Sequence, residues 1–417
     1  MDADIVVIGG GPAGLAAAAK AAEKNVNVLL LEREKELGGI LPQCIHMGFG
    51  NFALGEMVTG PEYAHHYKKQ VNKKNICIKT GTMALEIQKD KTIIAINKTE
   101  GLLRIRPKAI ILAMGCRERT RNQILLPGSR PAGIYTAGSA QQLINVKGVM
   151  PGKNVVILGS GDVGLIMARR FLLEGATVQG VFEIMPNPGG LTRNLVQCLQ
   201  DYDIPLFLSH TVTNIHGNHR ITGVSIAKVD EKTMKPLKET DRFIACDTLL
   251  LAVGLIPENE LSKQLDVQLD EITGGPIVDQ YMQTSVEGVF ACGNVVHVHD
   301  LVDDVSIASE LAGKYAAQFV LEGLQKTVKI KLFAGENVSY VVPQVITDVA
   351  AEDITLYLRV KNQKEKVRCC VDVNDELLFD QKKRIVKPPE MVKLTLPTEL
   401  VKKCEGNELR IQIRNKK

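Results

Sequence analysis

The sequence predicts an α/β chain made of two similar βαβ-based domains, one inserted in the other, followed by an antiparallel β module. Three observations predict it. A Gly-x-Gly-x-x-Gly turn at Gly9, Gly11 and Gly14 stands between an apolar strand and a small-residue helix. The same pattern returns at Gly159, Gly161 and Gly164. From Val328 onward the chain changes to short alternating runs separated by Pro, Asn and Gly, the pattern of hairpin-connected strands.

The first unit reads in order. Residues 5–8 (Ile-Val-Val-Ile) are β-branched and apolar throughout, as a strand buried on both faces requires. Gly9 permits the tight turn that follows, Gly11 lets the backbone approach a diphosphate, and Gly14 lets the helix lie close on the sheet. Pro12 and Ala13 open a helix over 12–23, whose N-terminus offers unpaired N–H groups and a partial positive charge. A second strand over 26–31 ends on Glu32, placed to accept from an adenosine ribose. This is a Rossmann-like dinucleotide-binding unit with all its parts in place.

Residues 33–59 form a long Gly- and Pro-rich loop with short helical pieces. Gly38-Gly39 offers another close approach, and Cys44 and His46 lie within the loop. A helix follows over 60–74, with Pro61 near its start. Strands over 76–80, 83–89, 92–98 and 102–106 suggest a small antiparallel layer. The strand 109–112 runs into Ala113-Met114-Gly115.

Residues 116–145 read as a crossover into the second domain. There the strand 155–158, the second glycine turn, a helix over 165–174 and a strand over 177–182 end on Glu183. The return strand 248–253 ends in Ala252-Val253-Gly254, which echoes Ala113-Met114-Gly115. Two complete units imply two bound dinucleotides. The chain then returns to the first domain through turn, strand and turn over 284–294. A helix over 303–321 points its positive end at Gly293-Asn294. Strands over 338–342, 354–360, 367–373, 391–396 and 409–413 make up the last module. The boundaries are 1–117 with 284–327, 118–283, and 328–417.

Composition narrows the function classes. Aromatics make up 4% of 417 residues and Trp is absent, which excludes a stacking surface for single-stranded nucleic acid or sugar. The net charge of +4 implies no polyanion partner, although the segment from Val328 carries +5 against −1 for the rest. That basic module could be a docking surface. Nine scattered cysteines without a C-x-x-C form neither a disulfide framework nor a zinc pattern and suit a reducing, cytoplasmic setting. Asp2 and Asp4 precede the first strand where a signal peptide would be basic. No apolar run approaches the ~20 residues of a membrane span.

The two fingerprints, the Ala-x-Gly strand end after each, and the final GVFACGN turn before a helix resemble the two-dinucleotide flavoprotein family of glutathione reductase, thioredoxin reductase and NADH oxidases. The resemblance covers residues 1 to about 325. It implies FAD in the first domain, held by Gly9, Gly11, Pro12, Ala13, Gly14, Glu32, Arg33, Gly39, Ala84, Ala113, Gly115, Gly293 and Asn294. It implies NAD(H) in the second, held by Gly159, Gly161, Asp162, Val163, Gly164, Glu183 and Gly254. The segments GGILPQCIHMGFG, TGPEYA, GCRERTR, RPAGIYTAGSAQ and HVHDLVDDVS resemble a subgroup of FAD/NAD oxidoreductases found beside glycerol-3-phosphate dehydrogenase. Relatives of that subgroup are components of amino-acid and opine dehydrogenase complexes. The implied partner is therefore a dehydrogenase subunit, in a homo- or hetero-oligomer. Two departures stand out. The Cys-x4-Cys pair of the disulfide reductases is missing, and the final turn reads Gly293-Asn294 where the family has Gly-Asp.

Reading the chemistry residue by residue, Glu183 favours NAD(H), because a carboxylate accepts from a 2′-hydroxyl and repels a 2′-phosphate. Cys44 with His46 is either a thiolate reacting with peroxide or a shaper of the pocket. The helix beginning near Asp303 would favour reduced flavin by about 0.3–2 kcal/mol. His297 and His299 read as polar lining rather than metal ligands. Arg117, Glu118, Arg119 and Arg121 read as a solvated crossover, with an inter-domain salt-bridge cluster as the alternative, and Lys382-Lys383-Arg384 as a solvated turn. Three functions fit: an FAD subunit exchanging electrons between NAD(H) and a partner dehydrogenase, a self-sufficient NADH oxidase or peroxidase using Cys44, and a non-catalytic FAD scaffold.

Overall fold

The structure is a computed structural model and describes residues 2–73, 75–348, 352–402 and 407–415; Cys404 lies outside them. The chain forms two compact units, Met1–Cys116 with Pro257–Lys417, and Arg117–Ile256.

In the first unit, a parallel sheet runs in the order Ile76–Lys79, Val28–Leu31, Asp2–Ile8, Gly101–Leu112 and Val289–Ala291. The strands read as 102–106 and 109–112 are one strand, Gly101–Leu112. Its first half pairs antiparallel with Ile93–Asn97, and its second half pairs parallel with Asp2–Ile8. Pro107, which has no N–H to donate, sits at the changeover opposite Ala3. The small antiparallel layer therefore grows out of the main sheet.

Two helices cover this sheet. Pro12–Ala22 is almost wholly buried, because its Ala and Gly residues offer no bulk to hold neighbours away. Val302–Glu322 crosses it at backbone distance: a Cβ on Gly313 would lie 2.2 Å from the Ala17 carbonyl oxygen. The long loop after Glu32 contains a short 3-10 turn, Leu41–Gln43, and a two-strand ribbon, Met47–Phe49 with Val58–Thr59. Thr59 and Glu62 then form a capping box on the helix Gly60–Gln70.

The sequence places the return to this unit at 284, whereas the packing places it at Pro257. Leu265, Val267, Val278, Tyr281 and Met282 join its hydrophobic core. No periodic element announces that segment, so its membership is set by burial alone.

The second unit holds a five-stranded parallel sheet in the order Ile134–Thr136, Thr248–Leu251, Asn154–Leu158, Thr177–Phe182, Leu206–Phe207. The helix Asp162–Leu173 follows its glycine turn. A three-stranded antiparallel sheet, His210–Gly217, Ile221–Lys228 and Arg242–Ala245, adjoins it. The segment read as a plain crossover supplies a sheet strand, Ile134–Thr136, and the helix Ala137–Asn145.

Residues from Ile330 form two sheets around their own core of Leu332, Leu356, Leu358, Val371, Leu394 and Ile411. Pairing is antiparallel except between Ile330–Ala334 and Glu408–Asn415, which run parallel. Lys382-Lys383-Arg384 lies within the edge strand Glu376–Val386 rather than in a turn. Positive charge on an open edge discourages a further strand from pairing there. The module is bonded to residues 279–304 of the same unit. Thr347 Oγ1 donates to Asp279 at 2.8 Å, Tyr281 OH to Asp348 at 2.9 Å, and Lys393 Nζ to Asp304 at 2.6 Å. Arg359 pairs with Asp300.

Gly313→Val should destabilise the first unit by about 1–3 kcal/mol or more, because the added side chain meets backbone that cannot move aside. Urea unfolding with an unchanged m-value but a lower midpoint would show it.

Candidate cofactor sites

The glycines of the first turn divide into two kinds. Gly9 (φ +108°) and Gly14 face protein: a Cβ would lie 2.4 Å from the Ala113 carbonyl oxygen at Gly9 and 1.7 Å from the Gly9 carbonyl oxygen at Gly14. Gly11 and Gly115 face open space. The nearest atom to a Cβ on Gly11 is Gly39 Cα at 3.8 Å, and none lies within 4 Å of one on Gly115. The first kind seats the helix on the sheet, and the second leaves room for a ligand. The Gly38-Gly39 loop closes on this turn, with Gly38 N donating to Gly10 O at 2.8 Å. Pro12 and Ala13 begin the helix, and Gly293 packs against Ala13 so closely that a Cβ there would be 2.6 Å from the Ala13 methyl.

Glu32 is 6% exposed and accepts from the backbone N–H groups of Gly10 and Glu34, each at 2.7 Å. The carboxylate is thus fixed beside the turn before any ligand arrives. Arg33 is exposed and paired with Glu34 at 3.8 Å. Thr82 N donates to the backbone Glu32 O at 2.8 Å, so the strand carrying Ala84 starts beside the Glu32 main chain. The residues present fit a dinucleotide with its diphosphate over Gly11 and its ribose at Glu32.

The second turn repeats the arrangement. A Cβ on Gly159 (φ +93°) would lie 2.2 Å from the Ala252 carbonyl oxygen, while Gly161 has its nearest neighbour at 3.5 Å. Gly159 N donates to Phe182 O at 2.7 Å, as Gly9 N does to Leu31 O at 2.8 Å. Glu183, 7% exposed, accepts from Ser160 N at 2.8 Å, Ser160 Oγ at 2.6 Å and Met185 N at 3.0 Å. Asp162 accepts from Leu191 N at 2.9 Å and Asn194 Nδ2 at 2.6 Å, tying the helix start to the next loop. Val163 lies beside it in the first helical turn. Arg119 N donates to Gly254 O at 3.0 Å.

Sequence reasoning missed Gly189-Gly190 and Ser160. Gly189 N donates to Ser160 Oγ at 2.7 Å, and a Cβ on Gly190 would lie 2.6 Å from Leu165 Cδ1. The signal was present in the spacing. Gly38 follows Glu32 by six residues, and Gly189 follows Glu183 by six.

Several expectations change in the structure. Burial pushes the Cys44 thiol up to about 12, and its sulfur contacts the Ile40 carbonyl at 3.4 Å. That setting opposes a thiolate at neutral pH. The His46 ring is turned to Met47 O at 3.0 Å and lies against Phe49. Asp303 is buried and accepts from Gly50, Phe52 and Ala53 N–H groups at 3.2, 2.9 and 2.8 Å. The start of the helix Val302–Glu322 therefore carries a carboxylate of its own, which offsets its positive end.

The charge run after Cys116 is not simply solvated. Glu118 accepts from Gly138 N at 2.8 Å, and Arg121 donates to Leu126 O at 3.1 Å and Gly128 O at 2.8 Å. His297 and His299 are buried, 1% and 8% exposed. Among the described residues no cluster of three or more His, Cys, Asp or Glu could hold a metal. No disulfide joins the eight described cysteines. No helix among the described residues is long and apolar enough to cross a membrane.

Residues 3–312 match the family model described as pyridine nucleotide-disulphide oxidoreductase. The chain belongs to this family. Its members are FAD-containing, NAD(P)H-linked oxidoreductases. The chain is similar to dihydrolipoyl dehydrogenase of Manduca sexta, 28% identical over 71% of this chain and 64% of that protein. It is also similar to an opine oxidase subunit from Agrobacterium tumefaciens, 24% identical over 77% of this chain and 66% of that protein. The chain thus spans just under two thirds of these relatives' length. The fold is that of T. acidophilum thioredoxin reductase, with a TM-score of 0.62 at 24% identity over 76% of this chain and 98% of that one.

Two outcomes follow from the glycine geometry. Gly11→Ala should leave the fold intact but weaken FAD binding roughly tenfold or more, about 1.4 kcal/mol, whereas Gly14→Ala should not fold. Flavin fluorescence titration and circular dichroism distinguish them. The two histidines give a pH dependence. Burial, with Arg359 and Lys393 adding to it and a backbone hydrogen bond at His297 opposing it, pushes His299 down to about 3. Burial also holds His297 well below its ordinary value. An unfolded histidine binds a proton near 6.5, so their contribution is complete above about pH 6.5 and is lost as pH falls towards 3. Unfolding midpoints between pH 7 and 4 should fall, and fall less in His299→Phe.

Proposed function

We propose that the chain exchanges hydride between NAD(H) in the second cradle and FAD in the first, and passes the electrons to or from a partner dehydrogenase. The observation that carries this is the duplicated cradle. Each copy has an open central glycine, a buried carboxylate fixed by backbone N–H groups, and a double-glycine loop six residues beyond it. Bound FAD supplies the two-electron chemistry; this chain's residues bind, orient and set the charge around it.

The nicotinamide preference rests on Glu183. Its carboxylate is held in place by Ser160 and Met185, and a 2′-phosphate beside it would meet uncompensated negative charge. A substrate disulfide relay has no support in the residues. Residues 33–59 hold no second cysteine beside Cys44, and its buried thiol resists ionisation, which also weighs against peroxide chemistry there. The electrons then need another way out, to a protein partner or to oxygen, and the partner is the route proposed. The likeness to an opine oxidase subunit, by name one part of a larger enzyme, supports a partner subunit, which on this reading oxidises glycerol-3-phosphate or a similar hydroxy or amino acid.

Anaerobic mixing with one equivalent of NADH should bleach the bound flavin within seconds, and admitted air should reoxidise it slowly. Absence of bleaching would sink the hydride-exchange reading, and rapid turnover with oxygen alone would remove the need for a partner. Glu183→Ala should lower the preference for NADH over NADPH roughly tenfold, about 1.4 kcal/mol, read as the ratio of bleaching rates. In the native protein at pH 8, iodoacetamide should modify exposed Cys77 well before Cys44, mapped by peptide mass spectrometry.

A further inference from the structure

The ends of two sequence segments meet on the second sheet, away from its glycine turn. Thr120 and Arg121 close the segment GCRERTR, and Arg130 opens RPAGIYTAGSAQ. With Ile134, Thr136, Ser139 and Leu251 they line a cleft of about 410 Å³, within the size range of small-molecule sites. Every lining residue belongs to the second unit. Thr136 is the cross-strand partner of Leu251, and Leu251 is the partner of Leu158, which precedes Gly159. The cleft therefore lies at the carboxyl ends of the parallel strands, where open α/β sheets bind ligands. It shares that rim with the second cradle and stands two strands, about 10 Å, to one side of it.

The charge in the cleft is unbalanced. Among the described residues neither Arg121 nor Arg130 is ion-paired with an acid. Arg121 is half-buried and held by three neutral carbonyls: Nε donates to Leu126 O at 3.1 Å, Nη2 to Gly128 O at 2.8 Å, and Nη1 to Ser129 O. Those bonds fix the guanidinium plane and take one hydrogen from each nitrogen, leaving two of its five donors. Burial, and then the charge of Arg130, lower the Arg121 pKa from its ordinary value, so the two cations stand close enough to repel. The Thr136 and Ser139 hydroxyls are 2.8 Å apart; one hydrogen makes that bond and the other is left for a ligand. The start of the helix Ala137–Asn145 is not the attraction, since Glu118 already accepts from Gly138 N at 2.8 Å. A fixed guanidinium fork, a second cation and a spare hydroxyl hydrogen match an oxyanion, which arginine binds through parallel N–H···O bonds. Ile134 and Leu251 add an apolar wall suited to a short carbon chain.

We propose that Arg121 and Arg130, with the Thr136–Ser139 hydroxyl pair, bind the carboxylate or phosphate-ester group of a small organic molecule, in a site separate from the nicotinamide cradle. Both groups offer the same chemistry, two or more oxygens sharing negative charge. The binding does not depend on hydride exchange, so the failure of either is read separately.

Isothermal titration calorimetry of the full flavin-loaded chain, with ionic strength held constant by sodium chloride, tests this with inorganic phosphate and acetate as separate probes. At least one should bind saturably at one ion per chain, and the tighter of the two names the group recognised. Saturating NADH should leave that affinity unchanged. Arg130 is exposed and makes no hydrogen bond among the described residues, so its variants keep the fold. Arg130→Gln should weaken binding roughly tenfold, and Arg130→Lys, which keeps the charge but loses the fork, by less. Ser139→Ala should also weaken it. Lys147→Gln removes an equal charge beyond the other end of the helix Ala137–Asn145 and should bind as the wild type does. Failure of the wild type to bind either probe overturns the proposal. Displacement of the ion by NADH also overturns it, since the ion would then occupy the nucleotide cradle. Undiminished binding in Arg130→Gln, or an equal loss in Lys147→Gln, overturns it as well.

Discussion

Backbone meeting backbone at a glycine is the constraint on which this structure depends. At Gly9 and Gly159 the chain turns so tightly that the glycine itself lies against the carbonyl of Ala113 or Ala252, just past the end of the neighbouring strand. No side chain fits between them, and so the helix N-terminus, the acidic strand end and the open central glycine come together in one place. Gly313 extends the same close approach across the sheet by bringing Val302–Glu322 onto Pro12–Ala22. The site is open where Gly11 and Gly115 face outward, because the glycines that face inward have closed everything else.

The two cradles share this frame and differ in charge. Glu32 is held by two backbone N–H groups, whereas Glu183 also takes the Ser160 hydroxyl. The extra donor fixes the second carboxylate more firmly and uses more of its accepting capacity. The loops that close on the turns repeat as well, Gly38-Gly39 against Gly10 and Gly189-Gly190 against Ser160. The two units thus share a backbone plan and differ in the side chains at the rim.

The C-terminal module has its own core but does not stand apart from the first unit. It reaches residues 279–304 through Thr347, Asp348, Arg359 and Lys393. The carboxylates it meets there would be costly to bury without such partners. The +5 charge of this module, which sequence reasoning offered to a docking partner, is thus used in part inside the chain. A further share lies on the edge strand Glu376–Val386, where it keeps that edge from pairing.

The sequence by itself determined the two βαβ units, because glycine spacing and β-branched runs are local requirements that few other folds impose. Gly9, Gly11, Gly14 and Glu32, with Gly159, Gly161, Gly164 and Glu183, were legible for that reason. The double glycine after Glu183 was equally legible and was overlooked. Only the tertiary structure decided that 257–283 belongs with the first unit, that one strand serves two sheets across Pro107, and that Cys44 is too buried to ionise readily. It alone joined His299 to Asn294 and buried both histidines beneath residues some sixty to ninety positions further along. Burial and long-range pairing depend on what the rest of the chain places alongside, and neither leaves a period in the sequence.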